Sequence, residues 1–426
     1  MKQSTYRILA NGQTVSNNTW DTGLNNNDLI IGPTGSGKTR GYVKPNILQC
    51  NESLIITDTK GGLYNEVGSI LTQNGYSVQV VDLVNCAASP YGYNPLEYIR
   101  YDKQRECYNE QDIFTVAACL VPTSLANDPF WDNAARMLLG CIIGYVMECL
   151  PEEEHTLSSV VQLFRHTGPK GLFERLVNEV EMIAPNCFPA VQYAMFSTMS
   201  QSEKTYASVQ GILSEKLSCF AFSGMESLFR NPNKIFFPYM GNRKTAVFLH
   251  LSDTDRSMDR VATMFYTQAM QTLCSYADRH PQRRLKIPVR FILDDFAAAT
   301  DACIPDFDRM ISVIRSREIS VSVIVQSLSQ LEAGYGHARA MTIVNNCDHF
   351  LYLGGQDVET ARYVSTKANR SIHGILDMPL QDAWLFTRGQ GPREVRKFDL
   401  REHPHYRELP EAAVQKRQSS YYAVAS

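Results

Sequence analysis

Gly32-Pro33-Thr34-Gly35-Ser36-Gly37-Lys38-Thr39 fills the pattern G-x-x-x-x-G-K-[ST], a complete phosphate-binding P-loop. Each position has a physical job. The glycines let backbone N–H groups turn inward and cradle phosphate oxygens. Lys38 is placed to neutralise β and γ phosphates, and Thr39 to ligate Mg²⁺ through its hydroxyl. The flanks agree with this reading. Asp28-Leu29-Ile30-Ile31 reads as a short buried strand, and a helix can open at Lys38 with its N-terminal dipole toward the phosphates.

A P-loop needs an acidic partner on a nearby strand end. Phe291-Ile292-Leu293-Asp294-Asp295 has that form. Asp294 is the expected magnesium-organising carboxylate, and Asp295 the expected base that polarises the attacking water. The run 320–325 reads as a strand ending at Gln326. An amide there can sense the γ-phosphate or orient water, or simply start a helix. Arg309, Arg315 and Arg317 lie between these two strands. Arginines so placed can reach a neighbouring subunit's nucleotide, face phosphate backbone cargo, or form a solvated helix face.

Away from these motifs, 44% hydrophobic and 20% charged residues mark an ordinary soluble globular chain, and 426 residues leave room for two domains. A net charge of −3 gives no global basic field, so nucleic-acid binding would need local patches. The eleven cysteines are scattered, odd in number and without a C-x-x-C pair. That fits reduced thiols in a cytosol better than disulfides or a zinc site. The N-terminus lacks a secretory-type sequence. The longest apolar run, from Met137 to Leu150, is shorter than the roughly 18 to 20 residues of a membrane span and contains Glu148. It reads as a buried helix.

Strand-like runs at 54–57 and 78–83 alternate with helix-length segments, which argues for a parallel α/β sheet. From about 100 to 235 the apolar spacing turns helical. Strand-like runs return at 246–251, 289–293, 320–325 and 349–353. The expected organisation is a discontinuous nucleotide-binding domain over 1–100 and 236–405, with an all-α domain inserted at 101–235. Residues 1–27 suit a short hairpin, and 406–426 a mobile polar tail.

An ordered set of segments resembles the cytoplasmic ATPase of type IV secretion coupling proteins, the TraG-like conjugative DNA transfer family. The set comprises the P-loop from Ile31 to Gly41 with Pro45-Asn46, Thr57-Asp58-Thr59-Lys60-Gly61, Tyr93-Asn94-Pro95-Leu96 and Asp128-Pro129-Phe130-Trp131. It continues through Leu293-Asp294-Asp295-Phe296, Ile304-Pro305-Asp306, Ile314-Arg315-Ser316-Arg317, Val325-Gln326-Ser327, Tyr352-Leu353-Gly354 and Glu359-Thr360-Ala361. The likeness runs from about residue 25 to 405.

The resemblance implies a RecA-like P-loop NTPase fold with an inserted all-α domain, hydrolysis of ATP with Mg²⁺, and a homo-hexameric ring. On that reading Gly32, Pro33, Thr34, Gly35, Ser36, Gly37, Lys38, Thr39 and Arg40 hold the nucleotide. Thr39 and Asp294 organise the metal, and Arg315 or Arg317 reaches across a subunit boundary. The implied partners are DNA, relaxase and secretion-channel components.

Two departures stand out. Family members commonly begin with transmembrane helices, and this sequence shows none. A shortened version, or recruitment by a separate membrane-anchoring subunit, would account for that. The implied location is cytoplasmic and peripheral at the membrane. The family also usually has Asp-Glu where this chain has Asp294-Asp295. The shorter side chain reaches about 1.5 Å less far, and a misplacement of about 1 Å can cost about 100-fold in rate. Two other functions share these motifs: a cytosolic DNA translocase of the FtsK/HerA type, and a weakly hydrolysing, ATP-gated recruitment platform.

Overall fold

The structure, a computed structural model, describes residues 5–122, 128–168, 171–296 and 303–413. Its strands are β1 (Tyr6–Ala10), β2 (Gln13–Ser16), β3 (Asp28–Ile31), β4 (Ser53–Asp58), β5 (Ser77–Asp82), β6 (Tyr101–Asp102), β7 (Cys107–Tyr108), β8 (Thr245–His250), β9 (Val289–Leu293), β10 (Ile319–Val325), β11 (His349–Tyr352), β12 (Asp382–Thr387) and β13 (Arg393–Arg396). Nine of them form one sheet in the order β13-β12-β11-β3-β10-β9-β4-β8-β5. The pairs from β11 through β3, β10, β9 and β4 to β8 are parallel, whereas β12 and β13 run antiparallel. Strands β3, β9 and β10 are buried along their whole length. Parallel strands covered on both faces read as continuous apolar runs, which is how the sequence announces them.

Register sets up the site. Ile31 of β3 lies opposite both Val325 of β10 and Tyr352 of β11. Gly32, Gln326 and Leu353 therefore leave the sheet side by side. Leu293, the last residue of β9, pairs with Val323, so Asp294 emerges next to Ile324. The P-loop strand and the acidic strand are not neighbours, because β10 lies between them.

Among the described residues, the chain forms two compact units, one within 1–80, 236–253 and 271–426, the other within 81–235 and 254–270. In the first, helix Gly62–Gln73 buries Leu63, Val67, Ile70 and Leu71, an i, i+4, i+7, i+8 stripe. The stripe joins a core with Ile30, Ile56, Phe248, Ile292 and Ile324. The second unit is built mainly of helices, with the short pair β6–β7. In its longest helix, Pro129–Cys149, Asp128 accepts the Phe130 N–H and Pro129 opens the first turn. Gly144 lets Phe188 approach so closely that a Cβ there would stand 2.6 Å from its ring. No helix of the described residues is long and apolar enough to cross a membrane.

The structure departs from the sequence reading at three places. The helix expected from Lys38 begins with a wide turn over Thr39–Val43, in which the Lys44 N–H reaches Thr39 O. Pro45 carries no N–H, so the regular bond back to Gly41 O cannot form and the turn opens. Strands β12 and β13, which extend the sheet beyond β11, have no counterpart in the sequence reading. Residues 406–413, read as the start of a tail, are packed: Leu409 belongs to the core and Glu411 pairs with Arg40. The remainder of that expected tail, 414–426, lies outside the described residues.

At its first residue, β3 carries a buried polar cluster. Arg7 Nε donates to both Asp28 oxygens at 3.1 and 2.8 Å, and a second Arg7 nitrogen adds a bond at 3.0 Å. Tyr42 donates to Asp28 at 2.5 Å, and Arg290 reaches it at 3.3 Å. Arg290 Nε also donates to Glu52 at 2.5 Å. Two cations thus face two anions. Burial alone would push the Asp28 carboxyl up, but Arg7, Arg290 and His349 together hold it below its ordinary value. His349 Nδ1 accepts from Arg7 at 2.9 Å. Arginine can only donate, so the His349 proton sits on Nε2.

Candidate nucleotide site

The P-loop leaves β3 at Gly32. A Cβ at Gly32 would fall 2.4 Å from Ser36 Oγ and 3.0 Å from Leu353 Cβ, so only glycine fits this closed turn. Gly35 and Gly37 take φ of +80° and +93°, the left-handed region that glycine enters without strain. Lys38 Nζ donates to Gly32 O at 2.6 Å and Pro33 O at 3.1 Å, folding the ammonium back over its own loop. Burial pulls the Lys38 pKa down, against Asp295 and Asp294, which pull it up.

The two aspartates meet the loop from β9. Thr39 Oγ1 donates to Asp294 Oδ2 at 3.4 Å, and the Asp295 N–H to Asp294 Oδ1 at 3.1 Å. Burial and then the Asp295 charge push the Asp294 carboxyl up to about 6, with Lys38 opposing them. Asp295 sits at φ +51°. Aspartate and asparagine enter that region more easily than longer side chains do. Gln326 Nε2 lies 3.5 Å from Asp295 Oδ1. The Gln326 N–H donates to Gln330 Oε1 at 2.8 Å, and Gln330 Nε2 donates to Phe296 O at 3.3 Å. Gln330 thus ties the ends of β9 and β10 together.

Lys38, Thr39, Asp294, Asp295 and Gln326 therefore converge at the C-terminal edge of β3, β9 and β10. Beside them, Pro33, Gln326, Tyr352, Gly354, Gly355 and Asp357 line a cavity of about 250 Å³. Arg315 and Arg317 do not join this group. They precede β10 and stand at the opposite edge of the sheet, roughly 20 Å away along a seven-residue strand. Arg315 donates to Thr19 O at 3.2 Å, and Arg317 pairs in two-pronged fashion with Asp278 at 2.9 Å. Arg40 is exposed and bonds Glu411 at 2.5 Å.

Sequence reasoning missed Gln330 and Lys397. The Lys397 ammonium bonds Ser36 O inside the P-loop and Leu353 O beside it. A polar residue four beyond Gln326 on a helix was the available signal for Gln330. Lys397, far along the chain, offered none.

Hard oxygen donors, an ammonium, and the backbone amides of a glycine-rich loop can hold a polyphosphate with a divalent cation. Comparison with known proteins bears on this geometry. Protein VirD4 of Rhizobium rhizogenes is 22% identical over 351 residues, covering 79% of this chain and 48% of that protein. The conjugal transfer protein TraG of Escherichia coli is 24% identical over 357 residues, covering 79% of this chain and 54% of that protein. The chain spans about half the length of these relatives.

Among solved structures, the bacterial conjugative coupling protein TrwBdeltaN70, unbound, superposes with a TM-score of 0.66 at 16% identity, covering 94% of this chain and 91% of that one. TrwB in complex with ADP and Mg²⁺ gives 0.65 at 16% identity, covering 88% and 85%. This likeness gives the fold: an α/β, RecA-like P-loop NTPase. The model for Type IV secretory system Conjugative DNA transfer matches residues 2–369, and the chain belongs to that family.

Proposed function

We propose that this chain binds and hydrolyses ATP with Mg²⁺, and couples hydrolysis to moving conjugative DNA, with its relaxase, or protein substrates into a type IV secretion channel. One observation carries the proposal: P-loop, paired aspartates and Gln326 converge at one sheet edge. The loop amides and Lys38 hold phosphates. Thr39 and Asp294 hold the cation. Their fit is chemical, since two hard oxygens 3.4 Å apart include a carboxyl whose pKa of about 6 marks a site short of positive charge. Bound Mg²⁺ would supply charge neutralisation at the β and γ oxygens. Asp295 accepts a proton from the attacking water, and Gln326 orients that water.

The remaining assignments extend this reading. The working form is a homo-hexameric ring. Arg315 or Arg317 faces a neighbouring copy, because both stand away from their own P-loop. The 101–235 segment, helical apart from the short β6–β7 pair, is a domain inserted between the two halves of a nucleotide-binding domain. A partner with transmembrane helices holds the ring at the membrane.

Steady-state ATPase assays with and without single-stranded and double-stranded DNA test the proposal. DNA-stimulated turnover that Lys38→Ala abolishes is the expected result. ATP binding without turnover would overturn the motor and leave a recruitment platform.

A further inference from the structure

The P-loop has a support beyond the stretch matched by the family model, which ends at residue 369. Lys397 follows β13, and its backbone N–H donates to Gln381 O at 2.9 Å, pinning it to the sheet edge. Its ammonium donates to Ser36 O at 3.0 Å and Leu353 O at 2.8 Å. The side chain is half-buried. Burial lowers its pKa, and Asp382 opposes that.

Peptide geometry gives these two bonds a consequence. A trans peptide is planar, so the N–H of one residue points away from the carbonyl before it. Lys397 holds the Ser36 carbonyl on its own side of the loop. The Gly37 N–H must then point to the other side. Gly37, at φ +93°, has the freedom to adopt whichever orientation its neighbours impose. Without the ammonium, the Ser36–Gly37 peptide is free to rotate.

The chain beyond Lys397 packs on the turn Thr39–Val43 and the helix Lys44–Ile47 that follow the P-loop. Phe398 O would touch a Cβ at Gly41 at 3.4 Å, Glu411 bonds Arg40, and Leu400 and Leu409 enter the core with Tyr42 and Ile47.

We propose that Lys397 is a positioning residue of the nucleotide site, which aims the Gly37 N–H at the phosphates and ties the P-loop to the loop after β11. This rests on the nucleotide reading above and deepens it. The ammonium touches carbonyl oxygens, so it acts through the loop.

The test uses the full chain and two variants. Lys397→Met keeps the stem and removes the charge, and Lys397→Arg keeps the charge. MgADP affinity is measured by calorimetry, and amide hydrogen exchange is followed in the nucleotide-free protein. Lys397→Met should weaken MgADP about tenfold, which is ~1.4 kcal/mol. It should speed exchange at 34–38 and 353–355 and leave β10 unchanged, while Lys397→Arg recovers most of the affinity. Wild-type affinity and wild-type loop exchange in Lys397→Met would overturn the inference. Faster exchange across the whole sheet would overturn it too, since that marks a purely structural role. If the unsubstituted chain fails to bind MgADP, the nucleotide reading falls. The loop exchange then still decides whether Lys397 orders the P-loop.

Discussion

The two ends of β3 handle charge in opposite ways. At its start, Asp28 is fully enclosed, yet it meets Arg7, Arg290 and Tyr42, and its carboxyl stays below the ordinary range. Just past its end, and among the described residues, Lys38 bonds backbone carbonyls of its own loop, and Asp294 rises to about 6 beside a second aspartate. The first cluster is neutral overall, two arginines against Asp28 and Glu52, although one Arg290 nitrogen and His349 Nε2 are buried there without a hydrogen-bond partner among the described residues. The second sets one cation near two carboxylates, with Lys38 bonded to carbonyl oxygens and Asp295 in the left-handed region. A buried network whose charges balance can be kept at little net cost, but one with an excess of one sign costs stability unless a counter-charge binds there. The same strand thus carries a charge-balanced buried cluster at one end and the candidate nucleotide site at the other.

Breaking the buried cluster should produce the largest change. Asp28→Ala leaves two buried guanidiniums without their shared anion, and should cost ~3–5 kcal/mol. Urea unfolding of the nucleotide-free protein reads this directly. A loss within ~1 kcal/mol would mean the cluster is not what holds the sheet edge.

The candidate site should answer in the other direction. Asp294→Asn removes a carboxylate that the fold disfavours, and should raise stability by ~1–2 kcal/mol at pH 7, allowing for its partial exposure. Turnover should fall roughly 100-fold or more, as expected for a lost cation ligand. Paired thermal unfolding and ATPase measurements check both halves.

Acidification separates the two ends further. Asp294 titrates near 6 when folded and near 3.8 when unfolded. In that window the folded state binds more protons, so this group adds stability as pH falls. His349 has the opposite sign. Burial and Arg7 lower it from 6.5 to about 4, so the unfolded state takes the proton first and stability is lost as pH falls through that range. From pH 7 to 5, Asp294→Asn should lose ~1 kcal/mol more than the unsubstituted protein, and His349→Gln ~1 kcal/mol less. Parallel pH curves for all three would contradict the assignment.

The smallest effect concerns Asp295. Its left-handed backbone suits aspartate, so Asp295→Glu should cost ~0.5–1 kcal/mol and slow turnover several-fold. Faster turnover would mean that side-chain reach, and not backbone fit, limits the site.

How much of this was legible follows from what each interaction needs. The P-loop, the β9 aspartates and the end of β10 are local patterns, so residues 32–39, 294–295 and 326 could be picked out from neighbours alone. That they converge follows from parallel register, which alternating strands and helices already suggest. The Asp28 cluster could not be read, because Arg7 and His349 are 342 residues apart and meet only after the sheet forms. Lys397 was hidden for the same reason, standing 361 residues from Ser36. Strand β13 could not be read because an antiparallel edge strand mixes charged and apolar residues and buries only Val395, whereas β12 does carry a buried apolar run, Ala383 to Phe386, that was legible and was passed over.

Nucleotide binding at the β3 end with Lys38 underlies every role assigned to the site. Thermal unfolding with increasing MgATP measures that most directly, since a ligand bound only to the folded state adds ~2.7 kcal/mol at a hundredfold excess over Kd. The predicted result is a concentration-dependent rise in Tm that Lys38→Ala abolishes and Arg315→Ala leaves intact in the isolated subunit. No rise in the unsubstituted protein, or an equal rise in Lys38→Ala, would contradict the account.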